Sequence, residues 1–295
     1  MSNKKGDSIQ IARDYLDSLV IEGRIVGAVH PSARTRLFGQ EADTPIMTAA
    51  LSHLKRGMTD LALGARDAGA FCQIGMGDND ELGQALSTGA KVIKIIKPYA
   101  DPEEIFSRLR FAEEHGAVAV GMDVEHAVNA EDDADSLVAG CQMKLPTLDE
   151  LKSYVSATRL PFLIKGAMSV QDAARAKELG CAGVILSHHN GLLRWAVPNA
   201  SLLPAIRKAV GDDFVLIIDG GIADGFDAFK ALALGADAVS VGRALIPPYD
   251  EKGSAGVTET ISSMTNQLKA MMLRTGSPDV KHIDPAVIHE APWMR

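Results

Sequence analysis

The fold is decided by the stretch from Leu160 to Leu245, whose first apolar run reads Pro161-Phe162-Leu163-Ile164-Lys165-Gly166. One unit repeats there three times: an apolar run, a polar or charged cluster at its end, and a helix-like segment. Because the apolar runs do not alternate with polar residues, they are typical of strands buried on both faces of a parallel sheet. Charged side chains, including Lys165, Asp219 and Arg243, therefore follow the carboxyl ends of strands, where α/β folds bind their ligands.

The same alternation of apolar runs and helical patterns extends over most of the chain. Glycine followed by alanine precedes several runs, and we interpret it as the end of a helix and the start of a strand. Strands are predicted at 44–50, 70–75, 91–96, 117–123, 161–165, 182–188, 214–219 and 238–242. Helices are predicted near 54–68, 80–88, 102–115, 147–158, 170–179, 200–210, 225–234 and 256–274. This α/β pattern predicts one domain over residues 1–295, a closed (β/α)8 TIM barrel.

Three segments fall outside this repeat. Apolar spacing of three and four behind Ser8 predicts an N-terminal amphipathic helix over about 8–22. The C-terminal tail, about 276–295, is expected to dock on the barrel or on a neighbouring subunit. The longest connection, residues 125–146, follows the fourth strand, and we expect a lid or a subunit contact there, with disorder as the alternative.

Composition excludes several classes of protein. The chain of 295 residues carries a formal charge of −8, and its Lys and Arg are spread out, which argues against nucleic-acid binding. Three cysteines without C-x-x-C spacing predict a reducing compartment without disulfides. No window approaches the ~20 apolar residues of a membrane span, and the first residues lack a signal peptide. We therefore expect a cytoplasmic protein that contacts no membrane.

A candidate phosphate site follows the last two strands. Asp219-Gly220-Gly221 ends the seventh strand, and Gly242-Arg243 ends the eighth. Glycines there allow backbone N–H groups to approach an anion, the N-terminus of the next helix favours negative charge, and Arg243 adds a cation. The alternative is that these glycines serve only tight turns.

Candidate catalytic groups end three other strands. Lys165 must face a cavity or find a partner, because burying an unpaired ammonium is costly. Only one of His188 and His189 can point to the mouth of the barrel, and Asp123 could orient that imidazole. Adjacent histidines are poorly spaced for a metal, so we expect no metal site.

With these residues identified, the chain resembles the family of FMN-dependent α-hydroxy-acid oxidases and dehydrogenases, which includes glycolate oxidase and lactate oxidase. The similarity is strongest from Leu160 to about Gly276 and fainter from Leu37 to Met47. Three segments carry it: Leu160-Pro161-Phe162-Leu163-Ile164-Lys165-Gly166, Asp219-Gly220-Gly221-Ile222-Ala223-Asp224-Gly225 and Phe229-Lys230-Ala231-Leu232-Ala233-Leu234-Gly235-Ala236.

The resemblance implies an FMN-dependent oxidoreductase that acts on an alcohol or a hydroxy acid. His189, in Ser187-His188-His189-Asn190, would take the hydroxyl proton while two electrons pass to flavin N5, and Asp123 would support it. Lys165 would stabilise negative charge at the flavin ring. The implied cofactor-binding residues are Ala49, Ala50, Lys165, Ser187, Asp219, Gly220, Gly221, Gly242 and Arg243. The family also suggests a homo-oligomer, often a tetramer.

The chain departs from the family where the substrate binds. Leu192 replaces the arginine three residues after the base, and a second substrate arginine has no counterpart after the fourth strand. These losses remove the bidentate contacts that select a carboxylate. Lys94 and Arg194 are candidate replacements for the anion contact. Ala223 replaces the arginine of the family's Asp-Gly-Gly-x-Arg motif.

Three functional hypotheses follow. The first is an FMN-dependent dehydrogenase or oxidase whose small-molecule substrate is not a simple short 2-hydroxy acid. The second is a phosphate-binding (β/α)8 isomerase or lyase without flavin. The third is a flavin-binding protein that has lost catalysis.

Overall fold

The computed structural model of the protein describes residues 5–52, 54–128, 141–188 and 191–291. Its strands are β1 (Leu19–Ile21), β2 (Thr35–Leu37), β3 (Gln40–Ala42), β4 (Ile46–Leu51), β5 (Phe71–Ile74), β6 (Lys91–Ile96), β7 (Ala119–Asp123), β8 (Phe162–Lys165), β9 (Gly183–Leu186), β10 (Val215–Asp219), β11 (Ala238–Val241) and β12 (Ile288–Glu290). Strands β4 to β11 form a closed parallel barrel in the order β10-β11-β4-β5-β6-β7-β8-β9. The predicted (β/α)8 barrel is confirmed.

Helices follow the barrel strands in the predicted alternation. They are α1 (Ser8–Ser18), α2 (Gly57–Asp67), α3 (Asn79–Ser87), α4 (Pro102–Glu114), α5 (Leu148–Ser156), α6 (Val170–Glu178), α7 (Asn199–Val210), α8 (Gly225–Ala233), α9 (Ile246–Lys252) and α10 (Ser254–Arg274). The last predicted helix, near 256–274, corresponds to α10, whereas α9 was not predicted; Gly253, with φ of 61°, separates the two. No helix in the described ranges is both long and apolar enough to cross a membrane.

Glycine ends several of these helices, as the sequence indicated. The five glycines that precede predicted strands have φ between 66° and 112°: Gly69, Gly89, Gly116, Gly180 and Gly235. A residue with a side chain rarely adopts this left-handed conformation, so each glycine stops its helix and redirects the chain into the barrel.

Two apolar cores surround the barrel sheet. Inward side chains such as Met47, Phe71 and Ile93 fill the cylinder, and outward ones pack under the helices. The hairpin of β2 and β3, which the sequence analysis missed, adds Leu37 and Ala42 to the inner core. Leu37 and Ala42 share the inner core with residues near the starts of the barrel strands. The hairpin therefore closes the amino end of the barrel, and the carboxyl end is left open for a functional site.

The chain ends meet beside the barrel. Helix α1 stops at Ser18, earlier than predicted, because Leu19–Ile21 turns extended and pairs antiparallel with Ile288–Glu290 of the tail. Asp7, and not Ser8, caps α1 by accepting the N–H groups of Ile9 and Gln10. The start of the predicted 125–146 loop belongs to a short 3-10 helix, Val124–Ala127, and residues 129–140 lie outside the described ranges.

Candidate functional site

A cavity of about 820 Å³ opens at the carboxyl ends of the barrel strands. Its size is within the range usual for cofactor and small-molecule sites. The loops after the strands and helix α1 line it together. The lining includes Ala12, Arg13, Ala49, Ala50, Ser52, Lys97, His126, Lys165, Ser187, His188, Asp219, Gly220, Gly221, Ala223, Ser240, Gly242 and Arg243. Most residues that the sequence singled out therefore share one space.

The ends of β10 and β11 form a backbone cradle at one side of this cavity. Gly220 and Gly221 both have positive φ, 93° and 82°, which a residue with a side chain would adopt only with strain. A Cβ atom added to Gly242 would lie 3.3 Å from the Cβ of Ala49. Asn199 Nδ2 fixes the turn by donating to the carbonyl oxygens of Asp219 at 2.7 Å and Gly220 at 3.2 Å. This rigid cradle, with exposed Arg243 beside it, suits the terminal phosphate of a cofactor.

The N-terminus of α8 does not contribute to that cradle as the sequence analysis expected. Asp224 accepts the N–H groups of Phe226 and Asp227. Gln267 accepts the N–H group of Gly225, and the Asp227 carboxylate accepts that of Ala223. These protein acceptors already use the amides that would otherwise face an anion, so the strand-end glycines and Arg243 remain the candidate phosphate contacts.

Two alanines and a serine complete the cofactor side. The β4–β5 pairing shifts register between Thr48 and Leu51, a local irregularity that brings both Ala49 and Ala50 to the cavity wall. At the ends of the neighbouring strands β9 and β10, Ser187 Oγ donates to Asp219 Oδ2 at 2.9 Å and holds this carboxylate at the cavity edge. Small residues at the wall leave room for a flat ring, and Asp219 can accept hydrogen bonds from hydroxyl groups.

A buried carboxylate that does not itself line the cavity holds two ammonium groups that do. Asp123 lies opposite Lys165 in the β7–β8 pairing, and its Oδ2 accepts from Lys165 Nζ and from Lys97 Nζ, both at 3.0 Å. The three side chains are 1% (Asp123), 4% (Lys165) and 6% (Lys97) exposed. Burial by itself lowers the pKa of Lys165, but nearby carboxylates, above all Asp123, outweigh it and raise the pKa. Lys165 is therefore an ammonium at neutral pH.

Lys97 was missed by the sequence analysis, which chose Lys94. Along β6, Ile93 and Ile95 point into the barrel, and the two-residue period continues to Lys97 at the cavity. Lys94 belongs to the other face and donates to the carbonyl oxygens of Gly75 at 2.7 Å and Gly77 at 3.4 Å. It does not line the cavity. The sequence did contain a signal for Lys97. It directly follows the apolar run of β6, just as Lys165 is the last residue of the apolar run of β8.

The remaining predicted site residues fall in different places. His188 is buried at the cavity wall, and burial, opposed by a backbone contact with Val197, lowers its pKa and favours the neutral imidazole. His189 lies outside the described residues. Arg194 is exposed, donates to the carbonyl oxygen of Lys5 and is not part of the cavity wall.

Glu125, two residues after Asp123, is a half-buried acid that the sequence analysis did not single out. Burial raises its pKa to about 7, with Lys165 lowering and Asp123 raising it. Because the folded-state pKa lies above the ordinary value, the folded protein holds a proton that the unfolded chain has lost. Stability should therefore fall as pH rises from about 4.5 to about 7.

Glu125→Gln is expected to flatten this dependence and to increase the free energy of unfolding at pH 8 by about 2 kcal/mol, allowing for partial solvent screening. Urea unfolding at pH 5 and pH 8 measures it. Glu114→Gln, at the exposed end of α4, is the control. An equal pH dependence in the Glu125→Gln variant and the parent protein would contradict the assignment.

Several known proteins are similar to this chain in sequence. A family model described as FMN-dependent dehydrogenase matches residues 129–290, more than half of the chain. An L-lactate oxidase from Alicycliphilus denitrificans is 41% identical over 138 residues, which are 46% of this chain and 38% of that protein. A 2-hydroxyacid oxidase from Dictyostelium discoideum is 38% identical over 143 residues, 48% of this chain and 37% of that protein. The alignments thus span less than half of these relatives.

Solved structures match over nearly the whole chain. A mandelate oxidase variant with 2-hydroxy-phenylacetamide has a TM-score of 0.85 and 25% identity, covering 94% of this chain and 88% of that one. A putative lactate oxidase from Pediococcus acidilactici has a TM-score of 0.89 and 22% identity, covering 97% of this chain and 87% of that one. At the latter identity the likeness shows the fold alone.

Proposed function

The chain belongs to the FMN-dependent dehydrogenase family, and from this premise we propose that it is an FMN-dependent oxidoreductase acting on CH–OH groups. Its substrate is a small alcohol or a hydroxy-acid-like molecule. One observation carries the proposal: a single cavity is lined by the strand-end glycines, by Ala49 and Ala50, and by the buried ammonium of Lys165. Such a cavity offers a phosphate cradle, a flat wall and a fixed positive charge in one place.

FMN is the cofactor, and the chain offers groups for each of its parts. Gly220, Gly221, Gly242 and Arg243 would hold the phosphate, and Asp219, fixed by Ser187, would accept from the ribityl hydroxyls. Ala49 and Ala50 would lie against the ring, with Lys165 supplying positive charge. When bound, FMN supplies the two-electron acceptor that the side chains lack.

The proton chemistry is assigned to the chain's own residues. His189 is the proposed base for the substrate hydroxyl, because it is the residue to which the family resemblance assigns this role. Asp123, proposed to support this base, also fixes Lys165 and Lys97 in position. Lys97 is the proposed contact for an anionic group on the substrate, in place of the absent arginines, because it reaches the cavity and Lys94 does not.

The function is tested by the flavin spectrum of the purified protein and by FMN titration, followed by anaerobic bleaching across alcohols and hydroxy acids. We expect FMN to bind and at least one compound to bleach it. Failure to take up FMN would overturn the proposal in favour of a phosphate-binding isomerase or lyase. Binding without bleaching by any compound would indicate a flavin protein that has lost catalysis.

Lys97→Met should lower kcat/KM for a carboxylate substrate by about 10- to 100-fold, because an ion-paired contact is lost. The variant should fold, since Asp123 keeps its 3.0 Å contact with Lys165. Turnover of the matching neutral amide should change little. Lys94→Met, which removes the neighbouring buried lysine from the other strand face, is the control. A larger loss in Lys94→Met than in Lys97→Met would return the role to Lys94.

We further propose that the protein works in the cytoplasm as a homo-oligomer, with a tetramer as the form that the family resemblance suggests, and with a small-molecule substrate and no nucleic-acid or membrane partner. The sparse cysteines, the dispersed basic residues and the family resemblance support this proposal. Size-exclusion chromatography with light scattering measures the oligomeric state.

A further inference from the structure

We propose that Arg13 of the N-terminal helix α1 is a positioning residue for the cofactor phosphate. It supplies, from the other end of the chain, a guanidinium that the β10–α8 loop lacks. That loop carries no cation between Asp219 and Lys230, whereas acidic Asp224 and Asp227 stand at the start of α8. The inference rests on the proposed FMN site and deepens it.

Helix α1 lies directly against the phosphate cradle. A Cβ atom added to Gly221 would lie 3.4 Å from Leu16 Cδ1 and 3.7 Å from Ala12 Cβ. Arg13 Nη1 donates to the carbonyl oxygen of Gly221 at 2.8 Å. Lys230 Nζ, from α8, donates to the carbonyl oxygen of Leu16 at 2.8 Å. The helix therefore forms a wall of the cavity where the phosphate is proposed to lie, and its placement sets the shape of the cradle.

Arg13 also forms an ion pair with Asp227, the buried acid in the first turn of α8. Its Nη2 donates to Asp227 Oδ1 at 2.8 Å, and its Nη1 reaches Asp227 Oδ2, which also accepts the N–H group of Ala223 at 2.9 Å. Asp227 is only 2% exposed. Without Arg13, the buried Asp227 carboxylate would lose its ion-pair partner, and its negative charge in the first turn of α8 would disfavour a phosphate in the cradle.

Further contacts tie α1 to the neighbouring β9–α7 loop. Ser8 Oγ donates to the carbonyl oxygen of Leu193 and accepts the N–H group of Ala196 at 3.0 Å. The N–H group of Trp195 donates to the carbonyl oxygen of Gly6 at 3.0 Å. These contacts hold the start of α1 without help from Arg13. Removal of Arg13 should therefore loosen the part of α1 that lies against the phosphate cradle, but it should not release the whole helix.

The test compares FMN with riboflavin, which has the same ring and ribityl chain but no phosphate. In Arg13→Met, the Kd for FMN should increase about 10- to 100-fold, whereas that for riboflavin should stay unchanged. Flavin fluorescence titration measures both constants without turnover. Arg13 pairs with two carboxylates, Asp227 and Asp17. Arg24→Met is the matched control, because Arg24 likewise pairs with two carboxylates, Glu22 and Asp284, away from the cavity wall.

Two further variants make the outcome decisive. Asp227→Asn added to Arg13→Met should recover part of the FMN affinity, because it removes the buried negative charge that lost its ion-pair partner. Arg13→Lys should lie between the parent and Arg13→Met, and it replaces Arg13→Met if the latter does not fold. Unchanged FMN affinity, or equal losses for FMN and riboflavin, would overturn the inference. Failure of the parent protein to bind FMN would instead overturn the proposed function.

Discussion

Replacing Lys165 with methionine is expected to lower kcat/KM by about 10²- to 10³-fold, the loss usual for one preorganised charge in a closed site. Lys165 is 4% exposed, and three carboxylates, Asp123, Asp219 and Glu125, favour its charged form. A fixed ammonium needs no solvent reorganisation when negative charge develops beside it, so its effect should fall mainly on kcat. Methionine keeps most of the side-chain volume and removes the charge.

The Lys165→Met variant should fold and retain FMN, because Asp123 keeps the ammonium of Lys97 at 3.0 Å. Steady-state kinetics and the flavin content of the purified variant are the measurements. Lys208→Met, on the exposed face of α7, controls for the loss of a lysine. Turnover within threefold of the parent, at equal flavin content, would remove Lys165 from the mechanism.

The sequence was sufficient to locate the strand ends, and the reason is local. An apolar run stops where the strand leaves the barrel, so Asp123, Lys165 and Asp219 were all recognisable as the last residues of strands. Parallel pairing then brings neighbouring strand ends together, as in the Asp123–Lys165 register pair. The candidate cavity could be predicted to this extent without coordinates.

The orientation of lysines on β6 was harder to predict. In Lys91-Val92-Ile93-Lys94-Ile95-Ile96-Lys97, both faces of the strand are apolar because both are buried, so polarity does not distinguish the inner face from the outer one. The choice between Lys94 and Lys97 depends on which isoleucines fill the barrel, which is a tertiary property.

The role of α1 could not have been predicted from local patterns. Arg13 and Asp227 are 214 positions apart, and no periodicity in either segment specifies their contact. Likewise, the side chains that take up the α8 amides include Gln267 of α10, which a reading of the loop alone does not reveal. Contacts that depend on how separate helices pack are the part of the site that required the structure.

The largest stability loss is expected from Asp123→Asn. One carboxylate serves two ammonium groups, Lys97 and Lys165, each 3.0 Å from the same oxygen. Removing the Asp123 charge leaves both buried lysines without this ion-pair partner. Removing either lysine leaves Asp123 paired with the other one. The variant should lose about 3–5 kcal/mol of unfolding free energy at pH 7, the usual cost of breaking a buried pair on one side.

Chemical denaturation followed by circular dichroism measures this loss. Asp213→Asn is the control, because Asp213 pairs with Lys177 at the surface, where an ion pair contributes less than about 1 kcal/mol. Adding Lys97→Met to Asp123→Asn removes one of the two buried ammonium groups that have lost the Asp123 carboxylate. The double variant should therefore be more stable than Asp123→Asn alone, although Lys97→Met removes a side chain that contacts the cavity.

The pH dependence separates charge repulsion from a simple packing defect. In Asp123→Asn, burial and mutual repulsion favour the neutral amines, so the folded protein binds fewer protons than the unfolded chain. Its stability should then rise with pH, and the difference from the parent should narrow between pH 7 and pH 10. A packing defect would give the same difference in unfolding free energy between the variant and the parent at pH 7 and at pH 10. A constant difference, together with no recovery in the double variant, would contradict the view that Asp123 compensates two buried ammonium groups.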